Sequence, residues 1–138
     1  MTDPNECVFC RIAAGELPAE IVHEEETTIA FLDINPATRG HAVVIPRAHA
    51  EDIHDIDPDD LVACTHVAQR LARRAIDRLG ADGVNLFHST GEAASQVIFH
   101  FHLHVIPRYP DDGLRNPLAH GRGDPADIAA VAAQLMKA

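Results

Sequence analysis

Between Val97 and Ile106 the chain alternates, with Phe99-His100-Phe101-His102-Leu103-His104-Val105-Ile106 at its centre. A period of two predicts a β-strand, in which successive side chains point to opposite faces. His100, His102 and His104 are expected on one face, and Phe101, Leu103 and Val105 buried on the other, with Pro107 closing the strand. A second period runs through the middle of the chain. Leu61, Cys64, Ala68, Leu71, Ala75 and Leu79 recur at spacings of three and four, which predicts one long helix. Asp57 suits its N-cap, Pro58 its first position and Gly80 its C-terminal stop. Arg70, Arg73, Arg74 and Asp77 fall largely on the other side, as a solvated face.

Shorter elements complete the pattern. Cys7 to Ala14 reads as a short helix stopped by Gly15. Strands are expected at Glu20–His23 and Thr27–Asp33, joined by the acidic turn Glu24-Glu25-Glu26. Asn35-Pro36 and Gly40 break the chain before a strand at His41–Ile45, and another is expected at Val84–Phe87. The stretch from Ser89 to Glu92 and the segment Pro110–Gly123 read as loops. Asp124-Pro125 repeats the cap-plus-proline signal. A terminal helix runs from it to about Met136, with Ile128, Val131, Leu135 and Met136 on its apolar side. Strands gathered around one long helix predict an α+β domain: an antiparallel five-stranded sheet, one long helix and short terminal helices.

Composition narrows the function. The 138 residues suit a single domain over 1–138, with a core from about 7 to 108. A formal charge of −10 argues against nucleic acid and anionic membranes as partners. No signal peptide is expected, and no apolar run reaches the ~20 residues of a membrane span. An odd count of three cysteines points to a reducing cytoplasm rather than a disulfide scaffold.

Histidine titrates near neutral pH and serves as base, nucleophile or metal ligand. The row of histidines therefore reads as a nucleophilic site or as a three-histidine metal site. A neutral imidazole attacks phosphorus well, provided one ring nitrogen is tied to a firm acceptor and the other is free. Asp33 is suited to accept hydrogen bonds from ribose hydroxyls, or to form the turn before Asn35-Pro36. Phe9, Ile12, Phe31, Ile34 and Val43 are candidates for an apolar wall around a base, Ile34 first because it adjoins Asp33. Cys7 and Cys10 supply half a tetrahedral zinc site, or are two partly buried free thiols. Cys64 reads as core. His23, His54, His66, His88 and His120 fit no pattern.

His100-Phe101-His102-Leu103-His104-Val105-Ile106 matches the pattern His-Φ-His-Φ-His-Φ-Φ, with Φ apolar. Gln96 stands four before His100. Phe31-Leu32-Asp33-Ile34-Asn35-Pro36 and the segment from Gly40 to His49 look like a nucleotide-side segment. In this combination the chain resembles the histidine triad family from about Cys7 to Arg108. It is most similar to the small bacterial members of the protein-kinase-C-interacting and adenosine-phosphoramidase branch.

The resemblance implies a homodimer with sheets joined edge to edge. It implies that His102 attacks the α-phosphorus of a nucleotide conjugate to form a nucleotidyl-histidine, which water then hydrolyses. His104 would contact the phosphate and help the leaving group depart, and His41 would support His102 from behind. Gln96 and nearby main-chain amides would hold the phosphate oxygens. Asp33, Ile34 and Phe31 would hold the nucleoside. Two positions depart from the family pattern: Val97 where relatives carry Ser or Thr, and Ser89 where relatives carry Asn. Both put the leaving-group preference in question. The resemblance also implies one structural zinc per chain, on Cys7, Cys10, His49 and His100, which leaves His102 and His104 free.

The leading expectation is thus a cytoplasmic nucleotide hydrolase or transferase acting on AMP-amide or aminoacyl-AMP substrates, a phosphoramidase in type. The alternatives are a dinucleoside polyphosphate hydrolase, a purine-nucleotide-binding regulatory protein with little turnover, and a zinc-dependent hydrolase using the histidines as ligands.

Overall fold

The computed structural model describes residues 6–115 and 121–137. Residues 116–120 of the expected loop, with His120, lie outside the described residues. The elements run α1 (Val8–Ala13), β1 (Ile21–Glu24), β2 (Thr28–Leu32), β3 (Ala42–Pro46), α2 (Pro58–Leu79), β4 (Gly83–Phe87), β5 (Leu103–Arg108) and α3 (Pro125–Leu135). A 3-10 turn at Glu92–Ala94 lies between β4 and β5. The five strands are antiparallel in the order β1-β2-β3-β5-β4. The α+β class and the five-stranded sheet are as the sequence predicts.

The central strands are covered on both faces. Ala30, Ala42, Val44 and Val105 pack with Cys64, Val67, Ala68 and Leu71 of α2. Ile29, Phe31, Val43 and Ile45 pack with Cys7 and Phe9 at α1. Burying a side chain such as Ile29 contributes about 1.5–3 kcal/mol, so alternate residues of β2 and β3 bind a helix to each face. The α2 caps follow the sequence: the Asp57 carboxylate accepts from the Asp59 amide at 2.8 Å, and Gly80 ends the helix at φ 69°. Gly40 (φ +90°) passes so close to the end of α2 that a Cβ there would lie 2.5 Å from Leu79 Cδ1. A side chain there would be strained at that φ and would force Leu79 to move, and the chain turns there to deliver His41 to the sheet.

Three expectations change. The strand expected over 97–106 begins at Leu103 and runs through Pro107 to Arg108. The reason is that its ladders end early: β4 reaches only the pair Phe87↔His104, and β3 only Val44↔Leu103. Upstream, the chain bonds to a loop instead, the Phe101 amide donating to the Ala50 carbonyl at 2.6 Å. The alternation of faces survives, since Phe101 and Val105 join the α2 core. The solvated face of α2 is partly engaged: Arg70 pairs with Glu25 at 2.6 Å, and Arg74 reaches His23 at 3.3 Å. Finally, the apolar side of α3 is exposed, Leu135 by 80% and Ile128 by 59%. Periodicity reports which side is apolar, not where it docks.

Candidate active site and Cys/His cluster

The main-chain partners of the three imidazoles dictate their tautomers. His102 Nδ1 lies 2.8 Å from the His100 carbonyl. A carbonyl only accepts, so Nδ1 carries the proton and Nε2 keeps its lone pair. His100 Nε2 lies 2.8 Å from the Pro46 carbonyl, which leaves the lone pair on Nδ1. His41 Nδ1 accepts from the Ala37 amide at 3.0 Å, so its proton is on Nε2. That Nε2–H donates to His104 Nδ1 at 2.9 Å. His104 is left with its proton on Nε2. His41 therefore orients His104 rather than supporting His102, because the start of β3 pairs beside His104 and not beside His102. The ring of His102 is backed instead by Phe9, edge-on at 5.2 Å, and that of His104 stacks on Phe87 at 4.6 Å.

Burial keeps these rings neutral. Desolvation pushes His41 and His102 below the ordinary histidine range, and His104 to about 4, with His102 and His41 adding to the effect. The sign of the pH dependence follows. In the unfolded chain these rings titrate near 6.5. Below that pH the unfolded chain binds protons that the folded one refuses until it reaches the folded values, about 4 for His104. Stability is therefore expected to fall as pH drops from about 6.5 towards 4. Urea midpoints measured at pH 7.5, 6 and 5 check this, and midpoints that stay level would contradict it.

His102 and His104 open into a cavity of about 550 Å³ between α1 and the sheet. Phe9, Ile12, Phe31, Ile34 and Val43 all line it, together with Asp33, Ser95, Val97 and Ile98. Ile34 is 91% exposed and Val97 83%, so both stand at its mouth. Asp33 serves two purposes. Its Oδ1 accepts from the Asn35 amide at 2.8 Å, which makes the turn, and its Oδ2 lies 3.7 Å from His41 Nε2. Ser89 does not line the cavity.

Gln96 is engaged within the fold. Its carboxamide is buried and accepts from the Gly91 amide at 2.8 Å. It donates to the carbonyls of Glu51 at 2.7 Å and Ile98 at 3.1 Å. Both N–H groups are used in these bonds, so Gln96 braces the loop. Among the described residues, no hydrogen bond is formed by the amides of Val97 and Ile98, and these two residues line the cavity.

On the other side of the Phe9 ring, Cys7, Cys10, His49 and His100 bring four donor atoms within 4.8 Å of one another. His100 Nδ1 lies 3.4 Å from both sulfurs, and His49 Nδ1 lies 3.2 Å from Cys10 Sγ. The lone pair of His100 Nδ1, fixed by Pro46, points at the thiols, which is the orientation a metal needs. Two thiols and two imidazoles suit tetrahedral zinc. Asp33, His41 and His104 also lie close enough to share an ion. There the Ala37 amide occupies His41 Nδ1, so Nε2 must stay protonated, and that group is not a metal site.

His88 and Thr90 belong to no sequence motif. The structure sets His88 on the His102 carbonyl and Thr90 on His88. No periodic signal marks them, because both lie in the loop after β4.

Known proteins resemble this chain in sequence and fold. The HIT domain model matches residues 14–111. An uncharacterized HIT-like protein of Mycobacterium tuberculosis is 43% identical over 122 residues, 86% of this chain and 83% of its own. Adenylylsulfatase HINT3 of Arabidopsis thaliana is 36% identical over 110 residues, 80% of this chain and 56% of its own. The crystal structure of a Zn-bound histidine triad family protein from Mycobacterium smegmatis matches with a TM-score of 0.78 and 40% identity, covering 96% of this chain and 97% of that one. With the three alternating imidazoles, the cavity beside them and a domain match over most of its length, the chain belongs to the histidine triad (HIT) family, which includes nucleotide-binding proteins and hydrolases.

Proposed function

We propose that the protein hydrolyses nucleoside 5′-monophosphate conjugates of the AMP-amide or aminoacyl-AMP type, with His102 as nucleophile. The observation that carries this is the fixed His102 tautomer: Nδ1 is tied to the His100 carbonyl and Nε2 is left as a lone pair on a ring that lines the cavity. Nε2 forms a bond to the α-phosphorus as the bond to the leaving group breaks. The leaving atom takes the electron pair and a proton from water. A second water then cleaves the phosphorus–nitrogen bond, releasing the nucleoside monophosphate and the free imidazole. His104 presents Nε2–H as a hydrogen-bond donor to the phosphate or the leaving atom. The unengaged amides of Val97 and Ile98, next to Gln96, suit the phosphate oxygens. Phe9, Phe31, Ile34 and Val43 suit a purine, and Asp33 its ribose.

Among the described residues, no lysine or arginine lines the cavity. A single ionised phosphate can be met by amides and neutral imidazoles. The chain of charges in a dinucleoside polyphosphate needs cations, which disfavours that alternative.

Cys7, Cys10, His49 and His100 would hold one zinc, whose part would be to tie α1 and the loop at His49 to the segment before β5. The thiols of Cys7, Cys10 and Cys64 are free, which supports a reducing cytoplasm. β4 is an edge strand that exposes Leu86 and Phe87 by 45% and 44%, which supports a second copy joining there. No described helix is long and apolar enough to cross a membrane.

The deciding experiment compares AMP release from an adenosine 5′-monophosphoramidate and from diadenosine tetraphosphate under one condition. The amide is expected to be the better substrate by at least about tenfold in kcat/KM. A preference for the tetraphosphate would replace the substrate class. Nucleotide binding without turnover of either would favour a regulatory binding protein.

A further inference from the structure

We infer that His88, with Thr90 behind it, is a positioning residue for His102, an inference that rests on reading His102 as the nucleophile. The β4–β5 ladder ends at Phe87↔His104. The His102 carbonyl lies beyond that last pair, and a side chain takes it. His88 Nδ1 sits 3.1 Å from this oxygen. Because a carbonyl only accepts, Nδ1 is the donor and Nε2 holds the lone pair. Thr90 Oγ1, 2.5 Å away, donates its proton to that Nε2. Thr90 Oγ1 in turn accepts from the Ile53 amide at 3.2 Å. The Ile53 bond orients the hydroxyl, the hydroxyl fixes the His88 tautomer, and His88 holds the main chain of the nucleophile.

A second line runs beside the first. The His88 ring lies over Phe101, centroids 4.4 Å apart and tilted by 33°. Phe101 is fully buried, and its amide is bonded to the Ala50 carbonyl. Both lines start on the segment from Ala50 to Ile53 and end at consecutive residues, Phe101 and His102.

The need for this device is geometric. The His102 ring is aimed through its bond to the His100 carbonyl, two residues earlier. All of 100–102 lies outside the strand. A small rotation of that backbone would swing Nε2 away from an incoming phosphorus, and displacements near 1 Å cost up to about 10²-fold in rate. His88 and Phe101 supply the restraint that sheet pairing gives elsewhere. His88 is not among the residues lining the cavity, so its effect passes through His102 and belongs to the chemical step.

The test uses full-length wild type, His88→Ala, His88→Gln and Thr90→Val, with an adenosine 5′-monophosphoramidate as probe. His88→Ala is expected to lower kcat by about tenfold to a hundredfold, with KM and AMP affinity within about twofold. His88→Gln, whose carboxamide can still donate to the His102 carbonyl, should recover most of kcat. Thr90→Val should fall between wild type and His88→Ala, and it keeps the test open if His88→Ala folds poorly. Nitrogen NMR of the His102 ring gives a readout free of turnover: one sharp, Nδ1-protonated species in wild type, and a broadened or mixed one in His88→Ala. An unchanged kcat and spectrum in His88→Ala would overturn the inference. So would equal losses of kcat, KM and stability in His88→Ala and His88→Gln, which mark a structural role only. If the wild type shows no turnover, the hydrolase reading falls, and the His102 spectrum alone decides whether His88 positions the ring.

Discussion

His102→Asn is expected to lower kcat for an adenosine 5′-monophosphoramidate by about four orders of magnitude, with AMP affinity changed by no more than a few fold. The asparagine amide can replace Nδ1–H as donor to the His100 carbonyl, so the main-chain bond that orients the ring has a substitute. What disappears is the Nε2 lone pair, which on the proposed reading forms the covalent intermediate. Binding should survive because the walls do not depend on that atom: Phe9, Phe31, Ile34 and Val43 line the cavity from α1, β2, the turn after β2, and β3. Loss of the ring contact with Phe9 makes a modest fall in melting temperature part of the expected result. Parallel measurement of kcat and of AMP binding by calorimetry checks it. Turnover within tenfold of wild type would remove His102 from the nucleophilic role and leave His104 as the group to examine.

The sequence was most legible where one local rule decides the outcome. The α2 boundaries follow from Asp57, Pro58 and Gly80, each fixed by backbone needs of its own. The faces of the triad segment follow from a period of two, and survive even where the backbone leaves the strand. The start of that strand was not legible. It depends on where β3 and β4 stop pairing, which is a property of three segments together. Gln96 shows the same limit. Its residue type suits a phosphate ligand, but its two N–H groups meet the Glu51 and Ile98 carbonyls, and nothing in the spacing reveals that. His41 was placed in the right cluster and against the wrong neighbour, because register decides which ring it reaches. For Asp33 the turn was legible, since one carboxylate oxygen accepts from the Asn35 amide, and the residue lines the cavity, where a hold on ribose remains a proposal.

Removing the metal is expected to act on the fold and on the activity together. Protein purified without chelator should carry about one zinc per chain. Stripping it, or replacing Cys10 by Ser, should lower the melting temperature by on the order of 10 °C. The four donors come from α1 and its cap, from the loop after β3 and from the segment before β5, so an ion held there would close contacts that no strand pairing makes. Without it, two thiols and two imidazoles stay close together inside the protein. Burial, with Cys7 beside it, pushes the Cys10 thiol up to about 12. Zinc must displace that proton, so metal affinity should weaken as pH falls. α1 also carries Val8, Phe9 and Ile12 into the cavity wall, and Phe9 touches both His100 and His102. Loosening α1 therefore loosens the nucleotide site, and turnover should fall only as the fold does. A catalytic zinc behaves differently: chelation would abolish turnover while the melting temperature stayed in place. Protein that holds no zinc, and whose melting temperature responds neither to chelator nor to added zinc, would return Cys7 and Cys10 to the status of two packed thiols. The anchoring of α1 would then rest on its apolar packing against the sheet, including the contacts of Phe9 with Phe31 and the histidine rings.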